Sequence, residues 1–97
     1  MKPSEILASK RDIIRDMILA TRFARNPRLF GSVAHGDDRP DSDVDILVDV
    51  TPDVTLFDLG GLQEQLQDVL GLQVDLLTPG DIKSSLRARI LSDCVAL

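Results

Sequence analysis

Two aspartates one residue apart, Asp43 and Asp45, follow a Gly31–Ser32 pair across the ten residues Val33 to Ser42. In a strand, residues two apart point to the same face, so the two carboxylates would stand side by side. Like charges that close repel each other unless a cation lies between them. A hard divalent ion such as Mg2+ takes oxygen ligands of this kind and keeps positions for phosphate oxygens. The Gly31–Ser32 turn can offer backbone N–H groups and a hydroxyl to an anion. A phosphate cradle beside metal-binding carboxylates points to nucleotide chemistry.

The elements that must position these groups are legible around them. The stretch LFGSVAHGDDRPDSDVDILVDV, residues 29–50, reads as a short strand, a turn, a polar loop and a second strand. Arg28-Leu29-Phe30 forms the first strand. His35 to Ser42 is turn chemistry, and Asp37, Asp38 and Asp41 read there as turn formers rather than ligands. The second strand, Asp43 to Val50, places Val44, Ile46, Val48 and Val50 on one face and Asp43, Asp45, Leu47 and Asp49 on the other. The β-branched face should bury against helices, and the acidic face should carry the site. Asp49 lies further along that face and reads as a strand-end charge.

Before this stretch, Ser4 is expected to cap a helix reaching about Arg25. Its apolar stripe is Ile6, Ile13, Met17, Ala20 and Ala24, with Leu7, Ile14 and Ile18 alongside. Asn26-Pro27 should end it, because proline disfavours helical backbone in the residue before it. After the stretch, Thr51-Pro52-Asp53 should cap a helix from about Val54 to Leu70, stopped by Gly71. Gly60–Gly61 within that helix suggests close packing or a kink. Leu72 to Leu77 is a third strand, in which Asp75 stands among apolar neighbours and needs a partner or a metal. Asp81 should cap a last helix with Ile82, Leu86, Ile90 and Cys94 on one stripe, ahead of an apolar VAL tail.

The composition sets limits. The 97 residues suit a single domain, 1–97, with no room for a separate substrate-binding domain. Hydrophobic residues make up 43% and charged residues 28%, as in ordinary globular proteins. No run approaches the roughly 20 apolar residues that span a bilayer, and the charged start does not read as a signal peptide. Cys94 alone excludes an internal disulfide and suits a reducing, cytoplasmic setting. Residues 1–28 carry seven bases against three acids (net +4), and the rest four bases against thirteen acids (net −9), giving −5 overall. So acidic a body argues against direct nucleic-acid binding, which relies on Lys and Arg neutralising phosphates.

The Gly-Ser, ten residues, Asp-x-Asp arrangement resembles the signature of the DNA polymerase beta-type nucleotidyltransferase superfamily. The wording GSVAHG…SDVDILV is similar to its minimal nucleotidyltransferase (MNT) branch, and the likeness extends over nearly the whole chain. This resemblance implies an α+β nucleotidyltransferase fold, with a small mixed sheet of three or more strands packed against about three helices. It implies that Asp43 and Asp45 bridge two Mg2+ ions and that Asp75 completes the metal site. Gly31 and Ser32 would bind the phosphates of ATP. The branch commonly has Arg where this chain has His35, which either lines the nucleotide site in its place or serves the loop.

Branch members are often antitoxins paired with HEPN-domain toxins. The expected function is therefore a protein adenylyltransferase that moves AMP from ATP to a tyrosine hydroxyl of a nearby-encoded HEPN toxin, in a hetero-oligomer. Two alternatives stand beside it: an antitoxin acting by binding alone, and a small-molecule nucleotidyltransferase.

Overall fold

The computed structural model describes residues 1–97. Its elements are α1 (Pro3–Ala20), β1 (Ala24–Phe30), α2 (Ser32–His35), β2 (Val44–Val50), α3 (Leu56–Leu70), β3 (Val74–Leu77), α4 (Ser84–Asp93) and β4 (Val95–Ala96). A 3-10 turn, Pro79–Asp81, precedes α4. The strands form one mixed sheet in the order β3-β2-β1-β4. β1 runs antiparallel to both β2 and β4, while β2 and β3 are parallel. The α+β class and mixed sheet expected from the sequence are both present.

Helices α1 and α3 cover one face of the sheet. Leu7, Ile14 and Ile18 from α1 and Leu62, Leu66 and Leu70 from α3 join Val44, Ile46, Val48, Val74 and Leu76 in a continuous core. Burying each such side chain contributes roughly 1.5–3 kcal/mol. The buried row of α1 is the one expected to lie beside the main stripe, and Ile13 is 54% exposed. The opposite face of the sheet carries Phe30, Asp45 and Asp75. Leu47 shares that face yet is fully buried.

Several element ends differ from the sequence expectation, each for a local reason. Helix α1 starts at Pro3 with Lys2 as its flanking residue, and Lys2 N donates to Glu5 Oε1 at 3.2 Å. Proline at the first helical position has no N–H to satisfy there, so Ser4 falls inside the helix. α1 stops at Ala20, not near Arg25. Thr21 Oγ1 donates to Ile18 O at 2.7 Å and accepts from Ala24 N at 3.2 Å, turning the chain into β1. Asn26-Pro27 does not end the helix but forms a bulge in β1, where the pairing register shifts between Arg25 and Arg28. A bulge tolerates a residue that cannot donate to the ladder.

Helix α3 is capped by Thr55, whose hydroxyl accepts from Asp58 N at 3.1 Å while Asp58 Oδ2 accepts from Thr55 N at 3.1 Å. That reciprocal pair lies two residues beyond Asp53, the expected cap, and Gly71 ends the helix as expected. A side chain added at Gly60 or Gly61 would meet nothing within 4 Å, so close packing does not account for that pair. Asp81 does not cap α4: its Oδ2 accepts from Thr78 N at 2.9 Å and closes the 3-10 turn, leaving Ile82 buried ahead of the helix.

The two edges of the sheet are both protected. At one edge, Gln67 Oε1 accepts from Val74 N and Gln63 Oε1 from Leu76 N, each at 3.1 Å. Glutamines from α3 thus occupy N–H groups that β3 would otherwise present as an open template. At the other edge, the VAL tail is β4 rather than a loose end. Leu97 N donates to Pro27 O at 3.0 Å, and its side chain joins the core. No helix is long and apolar enough to cross a membrane.

Candidate active site

Asp45, in the centre of the sheet, lies between Phe30 of β1 and Asp75 of β3, with which it is directly in register. Neighbouring strands are about 4.8 Å apart, so the Asp45 and Asp75 side chains rise together from one face. Asp43, two residues earlier, stands exposed just ahead of β2. Burial first, then the charge of Asp75 and a hydrogen bond with it, then the charge of Asp43, push the Asp45 carboxyl up from 3.8 to about 6. A half-buried carboxylate facing others is costly while charged, and a proton or a cation relieves the repulsion.

The glycine–serine turn meets this group directly. Gly31 adopts φ 75°, ψ −158° and opens the single turn of α2. A Cβ built on Gly31 would lie 2.5 Å from Asp45 Oδ2. Glycine is therefore required twice over, by its backbone conformation and by the carboxylate against it. The expected phosphate cradle and the expected metal carboxylates are thus brought into contact, although they are separated in the chain.

Beside the cradle opens a cavity of about 460 Å3 lined by Phe30, Gly31, Ser32, His35, Asp37, Ile90 and Asp93. All three residues expected to bind nucleotide, Gly31, Ser32 and His35, line it. The three aspartates do not; Asp45 adjoins it through Gly31 and Phe30, and Asp75 stands one strand further away. The sequence reading missed the contribution of α4, Ile90 and Asp93, because nothing local shows that the last helix returns to the Gly31 turn. A faint signal existed in Asp93 itself, an acid closing a helix whose last turn holds no base.

The loop that joins α2 to β2 is anchored by Asp38, which sequence reasoning took for a turn former. Asp38 is only 3% exposed, and its Oδ2 accepts from Ser4 N at 2.8 Å. Burial raises its pKa, but hydrogen bonds from Ser4, one from its own backbone and the charge of Lys2 together outweigh that and hold it below the ordinary 3.8. The start of α1 and the loop carrying Asp43 are thereby tied together. Its other oxygen, Oδ1, is buried without a partner.

As to a metal, the donor chemistry fits and the spacing is incomplete. Asp43, Asp45 and Asp75 supply the hard oxygen donors that Mg2+ takes, and Asp45 carries charge that a cation would relieve. No three such side chains are already gathered at metal-ligand spacing.

Residues 18–97 match the sequence model of the nucleotidyltransferase domain, spanning β1 to β4, the three aspartates and every residue that lines the cavity. The chain belongs to the nucleotidyltransferase family. Over 78 residues this nucleotidyltransferase is 40% identical to the protein adenylyltransferase MntA of Thermococcus cleftensis, covering 79% of each chain. It superposes on a solved structure described as a candidate minimal nucleotidyltransferase with a TM-score of 0.86 and 33% identity, over 97% of this chain and 95% of that one. A toxin–antitoxin crystal structure with AMP-PNP shares the fold at a TM-score of 0.67 and 21% identity, over 99% of this chain and 72% of that one. Membership of the minimal branch, expected from GSVAHG…SDVDILV, is supported by both the sequence and the structural likeness.

Proposed function

We propose that this nucleotidyltransferase is the antitoxin of a toxin–antitoxin pair, and that it transfers AMP from ATP to a tyrosine hydroxyl of a HEPN toxin encoded nearby. The observation that carries this reading is Asp45, in register with Asp75 and pressed against Gly31. Two lines of similarity support the choice of substrates. A relative at 40% identity is named a protein adenylyltransferase, and a fold neighbour is a toxin–antitoxin complex holding an ATP analogue.

In this mechanism the β- and γ-phosphates rest on the backbone N–H groups at Gly31 and on the Ser32 hydroxyl, with His35 alongside. Asp43, Asp45 and Asp75 would hold Mg2+, which would supply charge neutralisation at the phosphates. Asp75, at the strand edge, faces the incoming hydroxyl and accepts its proton on a carboxylate oxygen. The bond from the acceptor oxygen to the α-phosphorus forms as the bond from that phosphorus to pyrophosphate breaks. Phosphoryl chemistry of this kind depends on positioning and charge neutralisation more than on covalent help from the protein. The sheet provides the positioning, because β2 and β3 fix Asp45 and Asp75 in register on rigid backbone.

The test combines the purified protein, labelled ATP, Mg2+ and the neighbouring HEPN protein, read by intact mass. AMP added to the neighbour, and lost with Asp43→Asn, is the expected result. A tight complex that silences the toxin with no AMP added would instead make the protein an antitoxin by binding alone. Transfer to an aminoglycoside with no protein acceptor present would assign it to small-molecule chemistry.

A further inference from the structure

Helix α3 buries Leu62, Leu66 and Leu70 in the core, while Leu56, Phe57, Gly60, Gly61, Glu64 and Asp68 lie along one exposed stripe on its outer side. Leu56 is 87% exposed and Phe57 93%. Two adjacent large apolar side chains held in water do nothing for the fold, and such patches mark contacts with other molecules. The Thr55–Asp58 cap fixes the turn that carries them, so both are held out on rigid backbone before any contact forms. One turn further on, the stripe is bare: a Cβ at Gly60 or Gly61 would meet nothing within 4 Å. Glycine weakens a helix interior, and neither a positive φ nor an internal neighbour calls for this pair. Bare backbone lets another backbone approach closely. The outer face of α3 is therefore an apolar knob beside a shallow notch, and the mechanism above gives it no role.

Charge narrows the choice of occupant. No Lys or Arg occurs between Pro40 and Ile82, and Glu64 and Asp68 continue the stripe without ion-pair partners. Lys10 meets α3 at the Val69 carbonyl, not at a carboxylate. A second copy docked face to face would bring like charges together, which is costly across an interface. A helix with aliphatic side chains flanked by Lys and Arg is complementary instead. We propose that the outer face of α3 is a docking surface for a basic amphipathic helix of the toxin. This rests on the reading above that a toxin is the partner, and it adds where the toxin is held. α3 covers the face of the sheet opposite Asp45 and Asp75, so the hold on the toxin and the transfer of AMP draw on different residues.

The experiment is calorimetric binding of the neighbouring HEPN protein to the full chain, without ATP or Mg2+. Phe57→Ala should weaken the complex by about thirtyfold, the effect of removing an aromatic anchor, and leave the melting temperature of the free protein unchanged. Gly60→Leu should also weaken it by filling the notch, although it strengthens the helix itself. Glu64→Lys combined with Asp68→Lys should weaken it at low salt and flatten its salt dependence. An affinity that survives Phe57→Ala and Gly60→Leu, or that rises with the lysine pair, would overturn the docking surface and leave the toxin reading standing. Self-association of the free protein that disappears with Phe57→Ala, seen by sedimentation equilibrium, would overturn the choice of occupant in favour of a second copy. A wild type that neither binds nor modifies the HEPN protein would overturn the toxin reading and this proposal with it.

Discussion

Replacing Asp45 by Asn should make the metal-free protein more stable at neutral pH while abolishing transfer. Burial, Asp75 and Asp43 together raise the Asp45 carboxyl from 3.8 to about 6. At about 1.4 kcal/mol per pKa unit, the charged form costs the fold up to about 3 kcal/mol. Asp45 is only half-buried, so solvent screening reduces the expected figure to about 1–2 kcal/mol. The sign follows from proton linkage: the folded state binds this proton more tightly than the unfolded chain, so the cost is absent below about pH 4. It grows as pH rises and is fully present above about pH 6. The carboxylate of Asp38, whose pKa is lowered, contributes in the opposite direction. Because wild type and variant share it, it cancels in their difference.

Thermal unfolding of both proteins without divalent ions, at pH 4 and pH 7, measures that difference. For a domain of this size 1 kcal/mol shifts Tm by roughly 4–8 °C. Asp45→Asn should therefore melt several degrees above wild type at pH 7 and level with it at pH 4. Adding Mg2+ should raise the wild-type Tm and leave the variant nearly unchanged, since binding to the folded state alone stabilises it. A variant less stable than wild type at pH 7, or a difference indifferent to pH, would refute the account of Asp45 as a strained charge awaiting a cation.

Three further outcomes follow from other residues. Gly31→Ala forces a non-glycine residue to φ 75° and displaces Asp45 Oδ2; urea unfolding should show a loss of about 1–2 kcal/mol, and single-turnover assays a larger loss of transfer rate. Gly60→Ala and Gly61→Ala, with open space around each, should each stabilise α3 by about 1 kcal/mol, seen as a higher urea midpoint. Asp38→Ala leaves Ser4 N without its acceptor and should lower stability by about 1–3 kcal/mol. Faster amide exchange at Ser4 and through residues 36–43 would mark the released anchor, and unchanged exchange there would count against it.

What could be read from the sequence was set by periodicity and by short-range chemistry. Alternation in Val44–Val50 identified β2 and its buried face, because strand side chains alternate whatever lies above them. The helical spacing of Leu62, Leu66 and Leu70 identified α3, and Gly71 its end. The ten-residue gap between Ser32 and Asp43 marked the candidate site on its own. Other features depend on partners distant in the chain. Residues 21–27 leave the helical pattern because β2 offers Ala24 and Arg25 strand partners, and the bulge at Asn26-Pro27 absorbs the missing N–H. The tail becomes β4 only because β1 has a free edge. Asp38 becomes an anchor through Ser4, 34 positions away, and Asp93 reaches the cavity only because α4 folds back beside Phe30. The sequence by itself singled out the candidate carboxylates and the candidate turn, since their types and spacing are local properties of the chain. Tertiary structure alone decided that Asp75 stands level with Asp45 and that Gly31 touches it, because strand register and close approach are set by packing between segments that no local pattern encodes.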